Sequence, residues 1–285
     1  MPDWHLIARP QRDILGEGLL WSPRSQCLYW TDILGLKLWQ MRLADGAITG
    51  HEMPGRIGWV VERASGGLMA GIDRRLCRLD PATMQPETLA ELERELPGNR
   101  LNDAKADAQG RIWAGTMDAA CEAPTGSLYR LDPDGTVTRH DTGITIANGP
   151  ALSPDGAILY HTDTRQRTVW RFALHADGAL GPRQVHLQFA LGDNPDGMCC
   201  DSQGHLWIAF YGAGCVRRFT PDGQPDRQID LPTPQLTNVC FAGPNLDRMF
   251  VTSAADGRQD DALAGALFEV DTGGVTGLAP HLFAG

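Results

Sequence analysis

The 285-residue chain lacks several features that would place it in a common class of protein. It has no Lys/Arg cluster, and its formal net charge is -10, so it offers no basic face to neutralise nucleic-acid phosphates. Its opening residues, MPDWHLIARP, contain no basic stretch followed by an apolar core, the pattern of a secretory signal. No apolar run approaches the ~18 residues of a membrane span. The expectation is a cytoplasmic protein with neither nucleic acid nor membrane as partner.

Its seven cysteines, Cys27, Cys77, Cys121, Cys199, Cys200, Cys215 and Cys240, are odd in number and irregularly spaced, with no C-x-x-C pair. That argues against a disulfide framework and against a zinc–cysteine site. Gly-x-Ser-x-Gly and Ser-x-x-Lys are both missing, so covalent acyl transfer lacks a recognisable nucleophile. No segment sustains a 3.6-residue apolar stripe. One patch, PETLAELERELPG (86–98), reads as a short helical turn or a loop.

What the chain does have is turns and a repeat. Its 33 Gly and 19 Pro are spread along the whole length, as tight turns require. The stretches CLYWTD, GGLMAG, GRIWAG, AILYHT, GHLWIA and DRMFVT place Tyr29, Met69, Trp113, Tyr160, Trp207 and Phe250 at equivalent positions. Their spacings are 40, 44, 47, 47 and 43 residues. Each is followed by a second alternating apolar–polar stretch, such as LYRLDPDG (128–135), that mostly ends in an Asp-Gly or Asp-Pro turn. Six units of roughly 45 residues holding several short strands indicate an all-β, six-bladed β-propeller. Nothing is left over for a second domain, so residues 1–285 read as one. The strand-like WHLIAR (4–9) is expected to join the C-terminal blade and close the ring. Two stacked sandwiches, the other all-β arrangement, would show no phased repeat.

The register also identifies the innermost strand of each blade. These strands start near Glu17, Gly58, Asn102, Asn148, Asp196 and Asn238, at spacings of 41, 44, 46, 48 and 42 residues. Equivalent positions lie at one depth, so the six residues should converge on one mouth of the central channel. Asn and Asp before Gly are ordinary turn residues when met singly. Converging on one axis, they would repel or stay unsatisfied unless water or a cation joined them. Hard cations take carboxylate and amide oxygens. A divalent ion therefore suits the mouth, with Glu17, Asn148 and Asp196 as ligands. Calcium, magnesium, manganese, zinc and ferrous iron all remain open.

The stretches LGEGLLW (15–21), RLNDAKADAQGRIWAGTMD (100–118), NGPALSPDGAILYHTDT (148–164) and NPDGMCCDSQGHLWIAFYGAGCVRRFTPDG (194–223) resemble the regucalcin/gluconolactonase family of six-bladed propeller lactonases. The resemblance covers nearly the whole chain. It implies one divalent metal on Glu17, Asn148 and Asp196, with Asp196 also the general base. It implies substrate contacts from Arg100 and Asn102 of the R-x-N-D motif, supported by Asp103. An acidic substrate contact is assigned to Glu122, in the poorly matching loop 118–126. Leu19 stands where members usually have Pro.

The implied activity is metal-dependent opening of a sugar lactone to its acid. A non-catalytic metal- or protein-binding propeller, or an aryl-ester or organophosphate hydrolase, stays open beside it. Trp59 is read either as an apolar wall of the mouth or as a core aromatic. Cys199 and Cys200 are read as small, reduced residues packed between blades.

Overall fold

A computed structural model describes residues 3–9, 11–258 and 260–285 of the chain. Among these residues there is no α-helix, and the strands form six four-stranded sheets. Five sheets are simple meanders of consecutive strands. The sixth is composite: Leu236–Ala242, Arg248–Ser253 and Leu267–Val270 are joined by the N-terminal strand Trp4–Leu6. That strand pairs antiparallel with Leu267–Val270, through Trp4 with Val270 and Leu6 with Phe268. Pairing the two chain ends removes an open sheet edge and makes the array a closed six-bladed β-propeller.

The repeat predicted the depth of each blade correctly. Tyr29, Met69, Trp113, Tyr160, Trp207 and Phe250 are all buried. Across the sheet they face Leu20, Val61, Lys105, Ala151, Cys199 and Cys240, one residue from each innermost strand. Burying each large side chain between blades contributes ~1.5–3 kcal/mol, so the six together form a hydrophobic belt around the ring.

Below this belt the third and fifth blades carry a shared device. Asp107 accepts the amides of Gln109 and Arg111, the Arg111 Nε and the Trp113 indole N–H, at 3.0, 3.0, 2.6 and 2.9 Å. Asp201 accepts the amides of Gln203 and His205, the Trp207 indole N–H and the Arg218 Nε, at 2.9, 3.0, 3.0 and 2.8 Å. The underside is crossed by the C-terminal segment. Its backbone bonds run from Ser202 to Thr276, from Gly277 to Leu246, from Phe283 to Glu62 and from Ala284 to Gly110. It thereby ties four blades together.

Two local expectations need correction. Residues 86–98 are neither helix nor simple loop: Pro86–Glu91 is the outermost strand of the second blade, paired with Arg75–Leu79. Its solvent-facing position removes the apolar alternation that would betray a strand, and sheet pairing overrides the helix propensity of its Glu, Leu and Ala. Trp59 does not line the mouth. It is fully buried, among Val61, Met69, Leu76 and Leu101. No helix among the described residues is long and apolar enough to cross a membrane.

Candidate active site and metal centre

All six innermost strands lose register near the same end. The breaks fall between Glu17 and Leu20, Ile57 and Trp59, Leu101 and Ala104, Asn148 and Ala151, Pro195 and Met198, and Leu236 and Val239. A bulge leaves residues unpaired and redirects their side chains. Here the redirected residues include Asn102, Asp103, Asp196 and Asn238, with Glu17 and Asn148 at the margins of their breaks. Small residues let the strands approach. A Cβ on Gly58 would lie 2.6 Å from the Asn102 carbonyl oxygen, and one on Gly197 would lie 2.3 Å from Asn238 Nδ2. The strands themselves begin one to three residues before the positions read from the sequence, for example Asn194–Cys200 and Asn99–Ala106.

The side chains form two hydrogen-bonded groups that each cross blades. Asn238 Nδ2 donates to Glu17 Oε2 at 3.1 Å and to Asp103 Oδ2 at 3.2 Å. Asn102 Nδ2 donates to Asn148 Oδ1 at 2.7 Å, while its own Oδ1 accepts from Arg100 Nη1. Asn148 Nδ2 donates to Thr164 Oγ1 at 2.8 Å, and that hydroxyl donates to the Pro195 carbonyl at 2.7 Å. Thr164 thus fixes which way the Asn148 amide points and ties it to the residue before Asp196. Two buried oxygens at the mouth have no partner, Asp196 Oδ1 and Asn238 Oδ1.

Three carboxylates share this buried space. Burial pushes Glu17 up to about 7, and the charge of Asp103 adds to it. Asp103 is raised to about 6 by burial, although Lys105 opposes the shift. Asp196 is held well above the usual carboxylate range by burial first, then by the charges of Glu17 and Asp103. Burial disfavours charge on Lys105, but Asp103, Cys240, Cys199 and Glu17 together outweigh that and raise its pKa. Burial lowers the pKa of Arg100, which stays far above neutrality as every arginine does. Among the described residues, no cluster of three or more His, Cys, Asp or Glu is disposed as a ligand set. The donors at the mouth are carboxylates together with amides. Orphaned buried oxygens, an all-oxygen donor set and mutually repelling carboxylates are what a hard divalent cation satisfies, so the residues fit the implied metal.

The structure therefore brings together Glu17, Arg100, Asn102, Asn148 and Asp196. Glu122 does not join them: it is exposed, and its amide donates to Asp118 Oδ2 at 3.1 Å. From the same loop it is Cys121, at a φ of +61°, whose thiol is electrostatically linked to Arg100. Sequence reasoning missed Thr164, Lys105 and Tyr211. Tyr211 is raised to about 12, by burial and then by the nearby Asp196. None of the three stands at a repeat-equivalent mouth position, so no pattern marked it. The cysteine pair divides. Cys200 is buried in one inter-blade core and Cys199 packs, partly buried, against another, and both line a cavity with Cys240 and Lys105. All seven cysteines are free thiols.

Residues 15–255 match the family model described as the SMP-30/gluconolactonase/LRE-like region. The chain belongs to that family. Within the SMP-30/gluconolactonase group, a 6-deoxy-6-sulfogluconolactonase of Pseudomonas putida is 36% identical over 282 residues, spanning 96% of this chain and 97% of that protein. The pentonolactonase XacC of Haloferax volcanii is 36% identical over 273 residues, spanning 90% of each. A solved regucalcin from Agrobacterium tumefaciens, described as a calcium-binding protein, superposes with a TM-score of 0.91 at 33% identity. It covers 96% of this chain and 95% of that one.

Proposed function

We propose that this family member is a metal-dependent sugar lactonase acting at the propeller mouth. The observation that carries the reading is the buried carboxylate of Asp196, one oxygen unpartnered, set beside Arg100 and Asn102 in a chain related to two proteins named as sugar lactonases. Glu17, Asn148 and Asp196 are the residues that would hold a divalent cation. When bound, such an ion supplies Lewis-acid polarisation of the ester carbonyl.

The remaining work falls to the chain. Asp196 takes a proton from the attacking water through its unpartnered oxygen. Arg100 commits only Nη1 to the protein, to the Leu101 carbonyl and Asn102 Oδ1. Its other donors are free for ring hydroxyls and for the carboxylate that forms. Asn102 is fixed between Arg100 and Asn148, so its amide presents one orientation to the substrate. Glu122 is left out of the proposed machinery.

A panel of aldonolactones, from five-membered pentonolactones to six-membered gluconolactone, tests the reading. Hydrolysis is followed by acid release after chelation and after return of calcium, magnesium, manganese, zinc or ferrous iron. We expect activity to vanish on chelation and to return with at least one ion. Undiminished turnover by the chelated protein would overturn the metal dependence. A second reading, a calcium-binding propeller without catalysis, is favoured by the description of the Agrobacterium relative. Calcium binding without hydrolysis of any lactone in the panel would select it.

A further inference from the structure

One cationic groove at the mouth shares only Arg100 with the chemistry above. It lies between the tops of the second and third blades, with a volume of about 310 Å³, and opens onto Arg100. Four arginines, Arg56, Arg74, Arg75 and Arg100, line it against two carboxylates, Asp73 and Glu91. The groove thus has an excess of positive charge in a chain whose net charge is -10.

The arginines are not equivalent. Arg74 Nη2 is paired with Glu91 at 2.8 Å, and Arg75 Nη2 with Asp73 at 3.1 Å. Arg56 forms no ion pair and no side-chain hydrogen bond among the described residues. Its backbone, by contrast, is fixed. Asp73, at a φ of +51°, donates its amide to the Arg56 carbonyl at 2.9 Å and accepts the Arg56 amide on Oδ1 at 3.1 Å. The carbonyl of the same Asp73 accepts the Leu101 amide at 2.6 Å, next to Arg100. One residue therefore holds Arg56 and Arg100 on either side of it. Their like charges are close enough that Arg56 helps lower the pKa of Arg100, after burial. Arg56, and the donors of Arg100 beyond Nη1, have no protein acceptor among the described residues, and they line a groove whose carboxylates Asp73 and Glu91 are already paired with Arg75 and Arg74, which makes an incomplete anion site.

We propose that this groove binds the anionic end of the substrate, a lactone carrying a phosphate or sulfonate on its exocyclic carbon, with Arg56 as the specificity-determining residue. The proposal rests on the lactonase reading. Arg100 is shared: its free donors face both the ring and the groove. Arg56 lies on the far side of Asp73 from Leu101 and meets only what projects outward. A tetrahedral oxyanion offers three oxygens to two planar forks, which a single hydroxyl cannot do.

The test compares glucono-1,5-lactone with its 6-phosphate and its 6-deoxy-6-sulfonate, in wild type, Arg56→Ala and Arg56→Lys. Rates are corrected for spontaneous opening. We expect wild type to prefer one or both anionic lactones. In Arg56→Ala the ratio of kcat/KM for anionic over neutral substrate should fall about 10- to 100-fold, with partial recovery in Arg56→Lys. Which anion is favoured identifies the group read. An unchanged ratio in Arg56→Ala, or no wild-type preference, overturns the proposal even when neutral lactone is hydrolysed well. If no lactone turns over, the lactonase reading fails. Inorganic sulfate binding then decides the groove alone: binding by wild type and not by Arg56→Ala supports it, and equal or absent binding refutes it.

Discussion

The innermost strand of the fifth blade carries Asp196 near its start and Asp201 just past its end, and both are buried. Their surroundings are opposite. Asp201 receives four hydrogen bonds, two from backbone amides, one from an indole and one from a guanidinium. Asp196 keeps an oxygen with no partner and faces two other carboxylates. The third blade shows a milder form of the contrast: Asp103 at the mouth accepts two hydrogen bonds, from the Ala104 amide and Asn238, against four for Asp107 at the other end. A buried carboxylate with all its lone pairs satisfied holds a blade together. One left short of donors keeps the capacity to bind a cation or move a proton.

The sharpest way to break this contrast is to delete one residue of each kind. Asp196→Ala is expected to lower kcat/KM on any accepted lactone by about 10³-fold or more. The chelated variant should melt at or above the chelated wild type, because a repelling carboxylate has gone. A matching fall in both quantities would show that Asp196 is structural. Asp201→Ala should do the reverse. It leaves the Trp207 indole and the Gln203 and His205 amides without their acceptor, while Arg218 keeps Asp226 and Gln203, at a cost of about 1–3 kcal/mol of stability by denaturant titration. The kcat of the remaining folded fraction should stay close to wild type.

Two smaller effects refine the picture. Glu17 and Asp103 are raised to about 7 and about 6, from 4.5 and 3.8. Unfolding lets them ionise more readily, so the chelated protein should be most stable below pH 4 with respect to these groups. That part of its stability is lost as pH rises through 6 and 7. A saturating divalent ion should flatten this slope in a melting-temperature series; a slope indifferent to the ion would detach the carboxylates from the metal. Thr164→Val leaves the Asn148 amide unanchored. It should weaken cation binding about 10-fold, measured by calorimetry, with little change in melting temperature.

Much of the fold was legible because a propeller writes its period into the chain. Turn residues and one buried aromatic per blade recur, and the register then selects Glu17, Asn148 and Asp196. What distinguishes Asp196 from Asp201 was not legible. Both precede a glycine-containing turn, and their partners lie in other strands or other blades. The bulges that turn the mouth residues inward leave no mark of composition. Pro86–Glu91 was misread because an outermost strand has a solvent face and no alternation to show. The stretch PGRIGW (54–59) reads as a specificity loop over the mouth, but through Trp59 rather than Arg56, because the relation of Arg56 to Arg100 passes through the backbone of Asp73, more than twenty residues from the R-x-N-D motif.

The composite sixth blade also sets an order in time. Of the propeller's strands Trp4–Leu6 is synthesised first, yet among the described residues its one sheet partner is Leu267–Val270, the last. While the intervening strands are made, Trp4–Leu6 has no strand to pair with, and blade contacts can accumulate only as an open arc. A ribosome that stalls before residue 267 therefore yields a chain in which Arg248–Ser253 keeps an unpaired edge and Trp4–Leu6 has no strand partner. Such a species is a candidate for edge-to-edge association. Quality control of this protein should discriminate most strongly between chains that have and have not completed that late strand.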